Sequence, residues 1–298
     1  MTASGESFAA VQDWLGADRR RALPAVAAMA LVLVQVSYPL SEGVGRDRIT
    51  VAVVVLSAVT ALLHAATTRG LRWAVGFFAI VSGLGLAAEI IGTATGFPFG
   101  SYSYAVDRLG PALADVPLVV PLAWTGGLYP IWIVAGLLTS DWERSGGRRF
   151  GAPGTARASN ARRAGLFVLG AVGWDLFLDP QMVADGQWTW AVTDAGLPGL
   201  PQIPCTNYLG WALVATLMAG LLTVLDRRNP PRDPSVAVPV AVFGWTWLGS
   251  TLAHAVFLGL PASAAWGFVG LGVLGIPLFA RLWAARRARV TAIPRENA

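Results

Sequence analysis

Eight apolar runs, most of them close to the length of a single bilayer crossing, leave this chain few ways to fold. They are Leu23 to Leu40, Ile49 to Ala66, Leu71 to Gly92, Val116 to Leu138, Ala164 to Leu178, Tyr208 to Leu225, Val236 to Leu258 and Ala262 to Trp283. A helix needs about 20 apolar residues to cross the hydrocarbon core. The pattern predicts an all-α integral membrane protein, a polytopic bundle of about eight transmembrane helices. Seven is the alternative, because the fifth run has only about 15 residues before Asp179 and Pro180. Composition agrees: 13% of the 298 residues are charged and 55% are hydrophobic, which is far from the balance of a soluble domain.

The basic residues are all arginine, and their placement orients the chain. With the N-terminus inside, 19 of the 22 fall on the cytoplasmic side, leaving Arg46, Arg48 and Arg108 outside. Basic residues accumulate in cytoplasmic loops, so both termini are expected in the cytoplasm of a multi-pass protein of the cell membrane. The formal charge of +5 is then a topology signal, and a nucleic-acid partner is not expected. The arginine triplet before the first span resembles the start of a signal peptide. However, no small-residue cleavage pattern follows Leu40, and removing one span would put the other arginines out of register. The single cysteine, Cys205, excludes an internal disulfide, and the two histidines, His64 and His254, are too far apart in sequence to suggest a metal site.

No stretch outside the spans is large enough to fold alone, so residues 1–298 form a single transmembrane domain. Residues 1–22 and 284–298 are expected as cytoplasmic tails. Residues 139–163, rich in Gly, Arg and Ala, are expected as a flexible cytoplasmic loop. The two long outer connections are different. Glu89 to Trp124 and the segment from Asp179 into Tyr208 are rich in Gly, Pro, Tyr and Trp and nearly free of basic residues. Such residues fix turns, and they suit an interfacial belt or a lid folded onto the bundle.

The acids near these connections are the candidates for chemistry. Glu89 lies inside the apolar stretch "IVSGLGLAAEIIG", where an ionisable group is costly and must face the bundle interior. It makes either a structural bond between helices or a contact with substrate. Asp175 and Asp179, in "WDLFLDPQMVADGQWTW", are four apart and share a face if the helix continues. Two carboxylates crowded away from water cannot both ionise cheaply, so one of them is expected to stay neutral, the state a proton donor requires. The alternative is that Asp179 and Pro180 simply stop the helix. Asp185 precedes Gly186 and is either a turn former or a substrate contact. Asn207 can hydrogen-bond a loop or a substrate, and His254 falls on the same side as the acids. A lone histidine on an apolar helix also serves as an interhelical donor. Tyr102, Tyr104, Trp124, Trp174, Trp188, Trp190 and Trp211 gather on the same connections, as anchors or as the walls of a pocket for a polyene or a carbocation.

The blocks "EIIGTATGFPFGSYSY", "LGPALADVPLVVPLAW", "WDLFLDPQMVADGQWTW" and "IPCTNYLGW" resemble, in order, the carotenoid biosynthesis membrane protein family that includes the CruF-type carotenoid hydratases. The resemblance runs from about Ser82 to Trp211, and the first and last two spans carry little of it. It implies hydration of a terminal isoprenoid double bond to a tertiary alcohol, with no cofactor, on a C50 bisanhydrobacterioruberin-type or a C40 lycopene or γ-carotene-type substrate. It also leaves room for association with other enzymes of the pathway. The acid role then falls to Asp175 or Asp179, and Glu89 orients or deprotonates the water. Tyr102, Tyr104, Trp124, Trp174, Trp188, Asn207, Asp185 and His254 are candidates for substrate contact. No metal is expected at the site. Other classes remain open: an acid-initiated cyclase, or a non-catalytic carotenoid carrier or transporter. A reporter active only outside the cytoplasm, fused after Asp194, is expected to be active; an inactive fusion would reverse the orientation.

Overall fold

The computed structural model describes residues 22–139, 153–193, 195–229 and 235–291. Among the described residues, eight helices are long and apolar enough to cross a membrane. They are α1 (Ala22–Leu40, ending in a 3₁₀ turn), α2 (Gly43–Thr68), α3 (Leu71–Thr95), α4 (Val119–Thr139), α5 (Pro153–Ala184), α6 (Cys205–Arg228), α7 (Ala237–Phe257, ending in a π turn) and α8 (Pro261–Thr291). The protein is therefore a multi-pass membrane bundle of eight spans. Of the expected tails and loop, residues 1–21, 292–298 and 140–152 lie outside the described residues, while 284–291, expected as tail, continue helix α8.

Helices α4 and α5 form the centre. Helix α4 packs on α2, α3, α5 and α7, while α5 packs on α4, α6 and α8. Both are largely buried, whereas α1, α7 and α8 turn most of their apolar surface outward. That outward surface is what lipid solvates. Close approach of α5 to α8 depends on two glycines. A Cβ on Gly173 would lie 2.6 Å from the backbone of Gly270, and one on Gly270 2.7 Å from Gly173 Cα. Small residues at such crossings let backbones meet, which supplies packing where lipid removes the hydrophobic drive.

Three sequence expectations change here. Helix α5 begins at Pro153, so residues 153–163, expected as flexible loop, are helical. Helix α3 runs on to Thr95, six residues beyond Glu89. The fifth span is not short: α5 passes through Asp179 and Pro180 to Ala184. A proline inside a helix frees the carbonyl four residues back. Here that is Leu176 O, and the Ser263 hydroxyl of α8 donates to it at 2.7 Å. A membrane helix tolerates proline when a neighbour satisfies the freed group in this way. Ser263 is in turn held by His254 Nδ1 at 2.9 Å.

One end of the bundle carries the α3–α4 and α5–α6 connections and is called the loop end below. These connections include three short antiparallel pairs. Strand β1 (Tyr102–Tyr104) of the first connection pairs with β4 (Trp188–Trp190) of the second, Tyr102 opposite Trp190 and Tyr104 opposite Trp188. Strands β2 (Ala112–Leu113) and β3 (Val116–Pro117) form a hairpin whose turn residues Ala114 and Asp115 have positive φ. Strands β5 (Gly196–Leu197) and β6 (Leu200–Pro204) lead into α6. The β1–β4 pair ties together segments more than 80 residues apart, and it points Tyr102 and Trp188 into the bundle.

Gly173→Val should wedge α5 from α8 and cost about 1–3 kcal/mol, the usual range for overpacking. Gly165→Ala, where a Cβ meets nothing within 4 Å, should be neutral. Thermal unfolding of both variants in detergent checks the contrast, and equal midpoints would refute the assignment of that crossing.

Candidate active site

At the loop end, Glu89 of α3, Asp175 and Asp179 of α5 and Asn207 of α6 are all buried, with exposures of 6%, 0%, 4% and 2%. Glycines open the way for the loop that closes over them. A Cβ on Gly92 of α3 would meet the Tyr102 hydroxyl at 2.7 Å, and one on Gly210 of α6 would meet Phe99 at 2.6 Å. These notches let Phe99 and Tyr102 drop between the helices. Gly96, at φ +79°, ends α3 in the left-handed conformation that turns the chain inward.

The carboxylates have contrasting surroundings. Glu89 accepts three donors: Tyr104 OH at 2.7 Å and Tyr102 OH on Oε2, and Trp124 Nε1 at 3.0 Å on Oε1. Burial raises both phenols well above their ordinary range, and the Glu89 charge adds to the effect, so they keep their protons as donors. Indole nitrogen can only donate. Each of these three donors favours the charged carboxylate, against the cost of its burial.

Asp175 and Asp179 share one amide. Asn207 Nδ2 donates to Asp175 Oδ2 at 2.8 Å and also to Asp179 Oδ2. Asp179 Oδ1 gains Trp188 Nε1 at 3.2 Å, whereas Asp175 Oδ1 has no hydrogen-bond partner. The two carboxyls crowd the same amide nitrogen. Four oxygens thus share three N–H donors, where the two oxygens of Glu89 have three donors of their own, and a proton held between the two carboxyls would supply the missing donor.

A cavity of about 50 Å³ lies among these groups. Glu89, Asp179 and Asn207 line it with Tyr102, Tyr104, Trp124, Trp188, Trp190 and Trp211. Asp175 sits behind Asp179 and does not line it. The aromatic wall is tightly knit: Trp124 stacks on Trp211 at 3.9 Å, Tyr104 meets Trp188 at 5.4 Å, and Tyr102 meets Trp190 at 5.6 Å. Trp174 packs edge-on to Trp211 at 5.7 Å and lines a second, larger cavity.

Two of the substrate-contact candidates lie elsewhere. Asp185 is in neither cavity wall; its carboxylate pairs with Arg46 Nη1 at 2.7 Å and takes the Tyr38 hydroxyl. His254 is likewise outside both walls. It bonds Ser263 and, through Nε2, Gln181 at 3.0 Å, which is the interhelical support at Pro180 described above.

Sequence reasoning missed Asp47, which takes Arg108 Nη2 and Gln187 Nε2, each at 2.6 Å. With Arg46–Asp185 it pins α2 to both connections. The available signal was that Arg46, Arg48 and Arg108 alone broke the arginine asymmetry.

The model of the family described as carotenoid biosynthesis protein matches residues 49–286. A similar protein, the bisanhydrobacterioruberin hydratase of Haloarcula japonica, is 30% identical over 138 residues, which is 46% of this chain and 39% of that protein. The match therefore covers well under half of that relative. No solved structure matches. With 238 of its 298 residues spanned by that model, including every residue of the cavity wall, the chain belongs to the carotenoid biosynthesis protein family.

Proposed function

We propose that this membrane protein hydrates the terminal isoprenoid double bond of a carotenoid to a tertiary alcohol. The observation that carries this reading is the pairing, on one small cavity, of a donor-rich carboxylate with a donor-poor pair of carboxyls. In this reading the aspartate pair holds one proton, and Asp179 is its donor because it faces the cavity while Asp175 does not. Asp175 is a positioning residue that shares the proton. The family and the Haloarcula relative, named as a hydratase, support a carotenoid and this class of reaction.

The chemistry balances without a redox partner. The alkene π pair takes the proton from Asp179 at its less substituted carbon, leaving a tertiary cation. Trp188, Trp190 and Tyr104 can face that charge, because aromatic faces attract cations. A water oxygen forms the new C–O bond and loses a proton to Glu89. Passage of that proton through the cavity back to Asp179 resets the site. The volume of about 50 Å³ holds a few waters at about 10–15 Å³ of such space each. That favours water beside a chain tip over the folded chain that a cyclase must hold. In our reading the loop end faces outward and both termini are cytoplasmic.

General acid catalysis contributes about 10² to 10⁴ in rate. Asp179→Asn in reconstituted membranes should therefore lower alcohol formation at least about 10²-fold, and Glu89→Gln should do so comparably, with both proteins eluting as wild type. Mass spectrometry of the pigment reads the gain of one water. Full turnover by Asp179→Asn would remove it as donor, and an isomer of unchanged mass from the wild type would favour cyclisation.

A further inference from the structure

Beside the acid cavity lies a larger one of about 390 Å³ between α1, α2, α4, α5 and α7. The two share Thr50, Val54, Ala123, Leu178 and Met182 as a common wall. The larger space is long. Its lining runs from Val242 to Phe257 on α7, which is about 22 Å at 1.5 Å per residue. On α1 it runs from Leu31 to Leu40.

Its mouth can be located. Val36 and Leu40 of α1 and Leu252 and Phe257 of α7 line the cavity, yet they are 49%, 76%, 57% and 56% exposed. All four are apolar and belong to membrane-spanning helices, so the opening faces hydrocarbon rather than water. Deeper in, Gln35 of α1 accepts Trp245 Nε1 of α7 at 2.8 Å, closing the gap between the two helices. At the floor, Gly127 of α4 admits the Trp174 ring, which a Cβ there would overlap. Trp174 thereby joins the chamber wall, and its neighbour Trp211 belongs to the acid cavity.

We propose that this chamber is the binding site for the body of a linear, rigid polyene, which slides in from the bilayer between α1 and α7 and delivers its tip to the acid cavity. The inference rests on the proposed reaction for its choice of occupant. Three features select a polyene: the length of the space, its apolar wall and mouth, and its position against the acid cavity, with five residues lining both. A flexible lipid acyl chain would fill the same volume but gains nothing from that junction.

Labelling tests occupancy independently of chemistry. The full chain carrying Cys205→Ser and Thr246→Cys, in phosphatidylcholine nanodiscs, presents one thiol on the chamber wall. Lycopene should slow its reaction with N-ethylmaleimide at least tenfold, and the same protection should persist when Asp179→Asn is added. Equal labelling with and without lycopene overturns the proposal. So does a thiol already protected by stoichiometric co-purified phospholipid that lycopene does not displace. In a second measurement, Val53→Trp narrows the chamber away from the shared wall. The preference for lycopene over 2,6-dimethyloct-2-ene, a short olefin with the same tip, should fall at least tenfold; an unchanged preference refutes the assignment. Protection of the Thr246→Cys thiol by lycopene, together with a wild-type chain that hydrates neither olefin, would uphold the chamber and reject the reaction.

Discussion

A carboxyl group inside a lipid-spanning bundle must either find donors for its charge or keep a proton, because bulk water cannot solvate it there. Three such groups meet at the loop end, and their supply of donors is unequal. Glu89 receives two phenols and an indole. Asp175 and Asp179 receive one amide between them and one indole. This unequal supply depends on notches at Gly92 and Gly210, into which the first connection drops Tyr102 and Phe99. It also depends on α5 remaining helical through Pro180, since only a continuous helix sets Asp175 and Asp179 one turn apart on the same face.

The loops need anchoring of their own. Each of the strand pairs has only two or three pairs of residues, too few to hold a connection in place unaided. The ion pairs at the rim take over that task. Arg108 reaches from the first connection to Asp47 of α2 and to the Asp185 carbonyl of the second, while Arg46 of α2 takes the Asp185 carboxylate. Such partly buried pairs add little net stability compared with apolar packing, but losing one partner strands the other charge. Their contribution is to hold the connections in register over the carboxyls. The far end of the bundle uses the same device, where Asp226 of α6 binds Arg69 of α2–α3 and Arg163 of α5.

Much of this architecture is legible in the sequence. Run length and the scarcity of charge specify the eight spans, and Glu89, Asp175 and Asp179 stand out because ionisable residues are so few. The gathering of Tyr102, Tyr104, Trp124 and Trp188 around them is visible as composition of the two long connections. What composition and spacing do not carry is the tertiary partner. Pro180 reads locally as a stop, and the Ser263 hydroxyl, 87 residues along the chain from the Leu176 carbonyl it satisfies, overrides it. His254 reads as a site candidate by side of the membrane alone, yet it is committed to that same support. Asp185 reads as a turn former or a ligand, but the long reach of Arg46 claims it. Strands of two or three residues are too short for alternation to announce them. The role of Asn207 as the shared donor requires knowing that α5 and α6 are neighbours, which hydropathy does not encode.

The tryptophans show how packing and chemistry converge. Trp124 donates its indole N–H to Glu89, and Trp188 donates its own to Asp179, while both rings line the cavity between those acids. An indole is electropositive at its edge and electronegative over its face. The edge therefore steadies a carboxylate while the face is available to a cation forming in the cavity. Phenylalanine would supply the face without the donor, and a polar side chain the donor without the face. Tyr102 and Tyr104 combine the same two properties, donating hydroxyls to Glu89 and lining the cavity with their rings. In the proposed reaction, a wall of this kind would let negative charge sit near a developing positive one without collapsing onto it, so that water, rather than a carboxylate oxygen, reaches the cation.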